Sequence, residues 1–298
     1  MANQVQARNQ NKVGSVTINS LLKQDVYKKR FNELLGKKAP GFISSIINVS
    51  NLPSLKDADS NTIIASAVVA ASLDLPIDQN LGFAYIVPYN KKNEGKKAQF
   101  QMGYKGYIQL AMRTSQYKTI NAIEVYEGEI KRVNRLTGEV EFNEDESLID
   151  RDKVVGYIAY FKLVNGFEKT LYMSKEEMEK HAKTYSQSYR SSKDWVVRDS
   201  LWTTSFDDMA IKTILKRLLS KYGILSIDMQ TAITSDQAAI NVDGSPEYVD
   251  NEVAQEIEEK ANSKELDFES DNVVDAEYKE VKENKEEPQQ ATFEEPQF

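Results

Sequence analysis

The stretch VVGYIAYFKLVNGFEKTLYM, residues 154 to 173, constrains the fold more than any other part of the chain. Two runs rich in β-branched and aromatic residues flank Asn165-Gly166, and an Asn-Gly pair supplies the two positive-φ positions of a type I′ turn. The runs are expected to pair as an antiparallel hairpin, which makes at least part of the sheet antiparallel. Other strand-like runs precede it, FAYIVPY, AQFQM, INAIEVYEGEIKRV and EVEF, each ended by turn residues. Helical patterns lie on either side. SLLKQDVYKKRFNELL and APGFISSIINV read as short amphipathic helices, and SNTIIASAVVAASLDLP as an alanine-rich helix stopped at Pro76. Downstream, SKEEMEKHAKTY opens with a capping box of Ser174 and Glu177. SFDDMAIKTILKRLLSKYG does so with Ser205 and Asp208 and stops at Gly223. The fold class is therefore α+β: a small antiparallel sheet with a β-hairpin, packed helices and a helical N-terminal region.

The charge of the chain is divided along its length. The net charge is −8, yet from Asn241 to the end 19 acidic residues face five lysines, so the preceding body carries about +6. The segment DFESDNVVDAEYKEVKENKEEPQQATFEEPQF has little apolar periodicity and much Glu, Gln and Pro. Such a segment cannot bury enough surface to offset its ordering entropy, so residues 233–298 are expected to form an acidic, largely disordered tail. Phe293 and Phe298 stand in it as sparse anchors for a partner, although a solubilising tail with no partner is an equal reading. The longest apolar run, IIASAVVAASL from Ile63, is shorter than the ~20 residues a membrane span needs. The polar start, MANQVQARNQNKVGS, has no apolar signal core, so a cytoplasmic protein is expected. The absence of cysteine excludes disulfides and thiolate metal sites.

The basic residues of the body are grouped. In QFQMGYKGYIQLAMRTSQYK, from Gln99, a helical wheel places Lys105, Gln109, Arg113 and Gln116 in one sector and Tyr104, Tyr107, Leu110 and Ala111 opposite. Lys91, Lys92, Lys96 and Lys97 precede it in a glycine-bearing loop, and Lys118 follows, giving seven basic residues and one acid from 91 to 118. The helix from Phe206 repeats the pattern. Ile211, Ile214, Leu215, Leu218, Leu219 and Tyr222 form its apolar stripe, with Lys212, Lys216, Arg217 and Lys221 over the other half. Either face alone is what any solvated helix shows. Together with the lysine-rich loop and the segregated acid they favour nucleic acid, whose phosphates bind cations by counterion release. Tyr104, Tyr107 and Tyr117 fit either the core or base stacking, and Tyr107, on the apolar side, is assigned to the core. Arg190 and Lys193, in the serine-rich loop SQSYRSSKDW, are weaker candidates.

Catalytic motifs are sparse. No G-x-x-x-x-G-K-[ST] occurs, and GYKG is no substitute, so ATP is not expected as a cofactor. His181, the only histidine, lies in a charged helical stretch and reads as a surface residue. Glu129-Ile-Lys131 matches the acid-x-lysine pattern of metal-dependent nucleases, a weak three-residue signal with no upstream aspartate placed convincingly beside it.

Three blocks in order, LPIDQNLGFAYIVPYN, AQFQMGYKGYIQLAMRTSQYKTI and W…FDDMAIKTILKRLLSKYGILS, resemble the signatures of the RecT family of phage-type single-strand DNA annealing proteins, from about residue 20 to about 230. The resemblance implies a core similar to the Rad52-like group. It implies a non-enzymatic, ATP-independent recombinase that binds single-stranded DNA, pairs complementary strands and holds the annealed duplex on a ring or helical oligomer. No metal ligand or catalytic residue is implied, and Mg²⁺ would at most assist. Expected partners are a phage-type exonuclease and the host single-strand-binding protein in a bacterial cytoplasm. On this view residues 1–60 contribute oligomer contacts and residues 61–232 form the annealing core. Lys105, Gln109 and Arg113, with Lys212, Lys216 and Arg217, are the expected DNA contacts, and Tyr104, Lys91, Lys92, Lys96, Lys97, Lys118, Lys221, Arg190 and Lys193 are auxiliary ones.

Overall fold

The structure, a computed structural model, describes residues 17–91, 94–240 and 246–248. Four helices come first, α1 (Ile18–Leu22), α2 (Asp25–Leu35), α3 (Ala39–Ser50) and α4 (Ser60–Ser72). The run expected as one helix is broken at Gln24, which is extended; Thr17 caps α1, while Asp25 opens α2. The alanine-rich α4 is capped by Asp59 and buries Ile63, Ile64, Ala67, Ala70 and Ala71. Small side chains let a sheet approach this helix closely.

That sheet begins with β1 (Ala84–Lys91) and β2 (Gly95–Met102), an antiparallel pair in which Tyr85 lies opposite Gln101, Val87 opposite Gln99 and Tyr89 opposite Lys97. Alternation gives the hairpin two unlike faces. Ala84, Ile86, Ala98 and Phe100 are buried on one, and the tyrosines and glutamines lie on the other. Next come α5 (Tyr104–Arg113), β3 (Tyr117–Glu127), the small hairpin β4 (Ile130–Val133) and β5 (Val140–Phe142), then β6 (Asp150–Leu163) and β7 (Glu168–Ser174). β6 pairs antiparallel with both β3 and β7 in a second, three-stranded sheet.

The β6–β7 pairing is the one expected, but the turn is not type I′. Gly166 alone has positive φ (+90°), and Asn165 keeps φ negative while its side-chain oxygen accepts the Phe167 N–H at 2.9 Å. The asparagine is engaged in an Asx-turn within a four-residue loop instead of adopting a left-handed backbone.

Helices α6 (Lys175–Tyr185), α7 (Asp194–Arg198), α8 (Leu201–Thr204), α9 (Phe206–Tyr222) and α10 (Ile227–Ser235) come after β7. The α6 capping box is present, with Ser174 and Glu177 bonded reciprocally. The second expected box is absent. Ser205 joins α8 to α9 at φ −146° and ψ 55°, outside the usual N-cap conformation, and makes no side-chain cap; its N–H is bonded to Leu201 O, which leaves none for Asp208 to bond in return. The long α9 packs across β6, β3 and β7 and burial continues around most of its circumference. β8 (Ala238–Ile240) then pairs with β2, and β9 (Pro246–Tyr248) pairs with β8, giving the sheet order β1-β2-β8-β9. The expected tail boundary at residue 233 falls inside α10, so part of the segment assigned to the tail is folded into the sheet. The rest of that segment, with Phe293 and Phe298, lies outside the described residues, as does Lys92.

The core runs continuously from Phe31 in α2 through Phe100 and Tyr107 to Tyr157 and Phe161 in β6, each fully buried. Among the described residues no helix is long and apolar enough to cross a membrane.

Candidate nucleic-acid interface

The two glycines of GYKG set the position of α5. A Cβ on Gly103 would stand 2.0 Å from Gly82 O, and one on Gly106 would stand 2.3 Å from Phe83 O. The Gly103 N–H also donates to Phe83 O at 2.9 Å. These glycines serve close backbone packing, not a phosphate loop. The crossing brings Lys105 beside the hairpin: a Cβ on Gly82 would meet the Tyr85 hydroxyl at 3.3 Å and the Lys105 stem at 3.4 Å. Burial, then the neighbouring Asp208 and Tyr104, push the Tyr85 phenol upward from its usual pKa. Lys105 and Gln109 are exposed along the outside of α5, and Lys118 is exposed at the start of β3.

Arg113 is exposed but committed. Its guanidinium donates to Leu73 O at 2.6 Å and Asp74 O at 2.8 Å, closing the carbonyl end of α4. The wheel placed it with Lys105 because both point away from the core, but α4 ends just where Arg113 reaches. Here its guanidinium caps α4.

Lys212 and Lys216 are the larger correction. Both are buried, at 6% and 2% exposure, and share the fully buried Asp236, with Nζ to carboxylate distances of 3.0 and 2.9 Å. Asp236 also accepts the Met102 N–H at 2.9 Å and the Tyr107 hydroxyl at 3.1 Å. Burial alone would raise this carboxyl, but the two ammonium groups and the hydrogen bonds outweigh it and hold its pKa down at about 2. The lysines are hidden because α5 packs on α9 and the link between α10 and β8 places Asp236 against the face of α9 that the wheel left to solvent. Tyr107 is core, as assigned, and so is Tyr117, whose hydroxyl accepts the Ile224 N–H at 2.7 Å. Tyr104 is half-buried against the core.

The remaining candidates are dispersed. Arg217 is half-buried with its guanidinium 3.5 Å from His181 Nδ1, and Lys221 lies 5.3 Å from the centre of the Tyr222 ring, which Lys169 approaches to 5.2 Å. At the hairpin tip Glu94 binds both Lys91, at 2.9 Å, and Lys97, and Lys91 also pairs with Glu247 of β9 at 2.7 Å. The hydrogen bonds to Glu247 and Glu94 hold the Lys91 ammonium well above its usual pKa. Lys96 is half-buried, and Arg190 donates to Thr184 O at 3.1 Å. His181 is no free surface residue: its ring lies 4.7 Å from Tyr185 and 6.5 Å from Trp202. Glu129 accepts the Tyr126 N–H at the β3–β4 turn, and Lys131 is paired with Glu141 across β4–β5. Both members of the acid-x-lysine pattern thus have local bonding partners.

What the polar hairpin face does border is a cleft of about 550 Å³. One wall is Val87, Tyr89, Gln99 and Gln101, and the other is the 186–202 segment with Ser188, Lys193 and Trp195. A smaller cavity of about 20 Å³, room for a single water, lies alongside and shares Ser186, Trp202, Met209 and Gln237 with it. Its lining includes Lys212, Lys216 and Asp236, so the buried ion cluster sits beneath the cleft. Lys193, a weak candidate from the sequence, is the one basic member of the lining among the described residues. Gln99, Gln101, Tyr89 and Trp195 were missed, since only tertiary packing brings β1–β2 to α7. The alternation of amides and aromatics in YIVPY and QFQM was the available signal.

The sequence profile of the RecT family matches residues 40–254, most of the chain. The chain belongs to the RecT family of single-strand DNA annealing proteins. Among RecT-like sequences, the uncharacterized Bacillus subtilis protein YqaK is 46% identical over 84% of this chain and 85% of its own length. Protein RecT of Escherichia coli is 30% identical over 63% of this chain and 67% of its own. The RecT match runs through β8 and β9, beyond the block resemblance that ended near residue 230, in keeping with the folded role of those strands.

Proposed function

We propose that the protein is an ATP-independent annealing protein of homologous recombination, binding single-stranded DNA along the cleft between the β1–β2 hairpin and α7 and holding the paired product there. Family membership carries the reading, and the geometry supports it. The cleft is open and lined by amides, hydroxyls, aromatic rings and the exposed Lys193, while the exposed Lys105 lies beside Gly82, just before β1. A site that accepts any sequence contacts phosphates and base faces, and the bases it does not hold keep their pairing edges accessible to a second strand. The antiparallel sheet backed by the long α9 supports the likeness to the Rad52-like group. Helices α1 to α3 are the proposed oligomer surface. A phage-type exonuclease and the host single-strand-binding protein are the proposed partners.

The test mixes complementary labelled oligonucleotides with the purified chain, without ATP, and follows pairing by fluorescence and strand length on a gel. Accelerated pairing of intact strands is expected. Suppressed pairing would make the protein a passive coat, and shortened strands would make it a nuclease; either overturns the reading. Lys105→Ala is expected to weaken binding to all sequences and to lower the salt slope by about 0.7 if it removes one phosphate contact.

A further inference from the structure

The cleft lining is poor in charge for a surface that follows a polyanion. Among the described residues Lys193 is its only basic member and Asp199 its only acidic one, so the lining as a whole exerts no net pull on phosphate. It is rich instead in groups that want a polar, planar partner. Gln99 is 6% exposed, and its side-chain oxygen has no hydrogen-bond partner; the buried Tyr89 hydroxyl has none either. A buried polar atom without a partner is destabilising, so a ligand group that bonds to it is favoured there. Across the cleft Trp195 leaves 55% of its surface exposed on the five-residue α7.

We propose that this part of the cleft is a nucleobase subsite. Trp195 stacks on an unpaired base of single-stranded DNA, and the Gln99 amide and Tyr89 hydroxyl bond its edge, while the phosphates remain outside with the exposed lysines. An amide carries both donors and an acceptor, and a phenol can do either, so the pair fits each of the four bases. Stacking is equally tolerant of sequence. The inference rests on the reading that the protein binds single-stranded DNA and adds which part of the strand enters the cleft.

The chain has two tryptophans, and Trp202 is 5% exposed, so emission isolates Trp195 once Trp202 is replaced. The full-length Trp202→Phe variant is titrated with an oligothymidylate and with an abasic oligomer of equal length, saturation being followed by anisotropy of labelled DNA. Quenching by the thymine strand but not by the saturating abasic strand is expected. In the otherwise unaltered protein Trp195→Phe should abolish the emission change, which keeps the test open if Trp202→Phe does not fold. Trp195→Ala should weaken oligothymidylate binding roughly 5- to 150-fold and leave abasic binding unchanged, with Gln99→Leu acting in the same direction. Equal quenching by both strands, or a Trp195→Ala effect that is absent or identical for both, overturns the subsite while leaving DNA binding intact. No anisotropy change with either strand overturns DNA binding itself, and the subsite with it.

Discussion

Asp236 joins two parts of the chain that are far apart in sequence: α9, through Lys212 and Lys216, and the β2–α5 junction, through Met102 and Tyr107. Asp236→Ala leaves two buried ammonium groups without their carboxylate, so a loss of about 3–5 kcal/mol is expected in urea denaturation. Lys212→Met, which leaves Asp236 paired with Lys216, should cost less. The pH dependence comes from the same carboxyl. Its folded pKa of about 2 lies below the ordinary unfolded value near 4. Its contribution is therefore complete above the unfolded value and lost as pH falls through the folded one. Stability measured from pH 5 downward should drop by about 2 kcal/mol from this group. Arg113→Ala is expected to lower stability by about 2 kcal/mol through two lost charge-assisted hydrogen bonds, with the salt slope of DNA binding unchanged. A reduced slope would restore Arg113 as a phosphate contact. The identity of such residues was legible in the sequence and their duty was not: a helical wheel separates two sides, but which neighbour covers a side is decided by elements remote in the chain.

Elements were the most legible level. The helices around 39–50, 60–72, 175–185 and 206–222 and most strands from 84 to 174 lie where periodicity put them, because each has a strong local pattern, although INAIEVYEGEIKRV breaks at Gly128 into β3 and β4, and Lys96 and Lys97 lie in β2 and not in the loop. What failed were details fixed by neighbours: Ser205, held between α8 and α9, gives its N–H to Leu201 O and makes no capping box, and Asn165 used its side chain in an Asx-turn. The glycines of GYKG show the same dependence. Gly106→Ala drives a methyl into Phe83 O, so a loss of about 1–3 kcal/mol is expected, together with displacement of Lys105 from the hairpin. Thermal denaturation measures the first and the salt slope of DNA binding the second. An alanine variant of full stability would mean that the 82–83 segment moves freely.

At the scale of the whole molecule, the C-terminal segment divides in two. A chain ending after residue 232 lacks Asp236 and β8, while one ending after Tyr248 keeps both. The shorter chain should fail to give a cooperative thermal transition, and the longer should melt close to the full-length protein. The acidic composition hid this division: residues 233–240 are almost free of charge, but a sequence window that extends into the acidic residues beyond them reads as tail. The cleft was illegible for a similar reason, since its walls are supplied by β1–β2 and by residues about a hundred positions later. That separation has a consequence during synthesis. Met102 and Asp236 are 134 residues apart, and at about 5–20 residues per second a ribosome needs on the order of ten seconds to make the interval. Through that time the outer edge of β2 is a bare strand edge and, once α9 has been made, its two inward lysines have no counter-ion, so the nascent chain cannot close its first sheet until nearly all of the folded region has emerged.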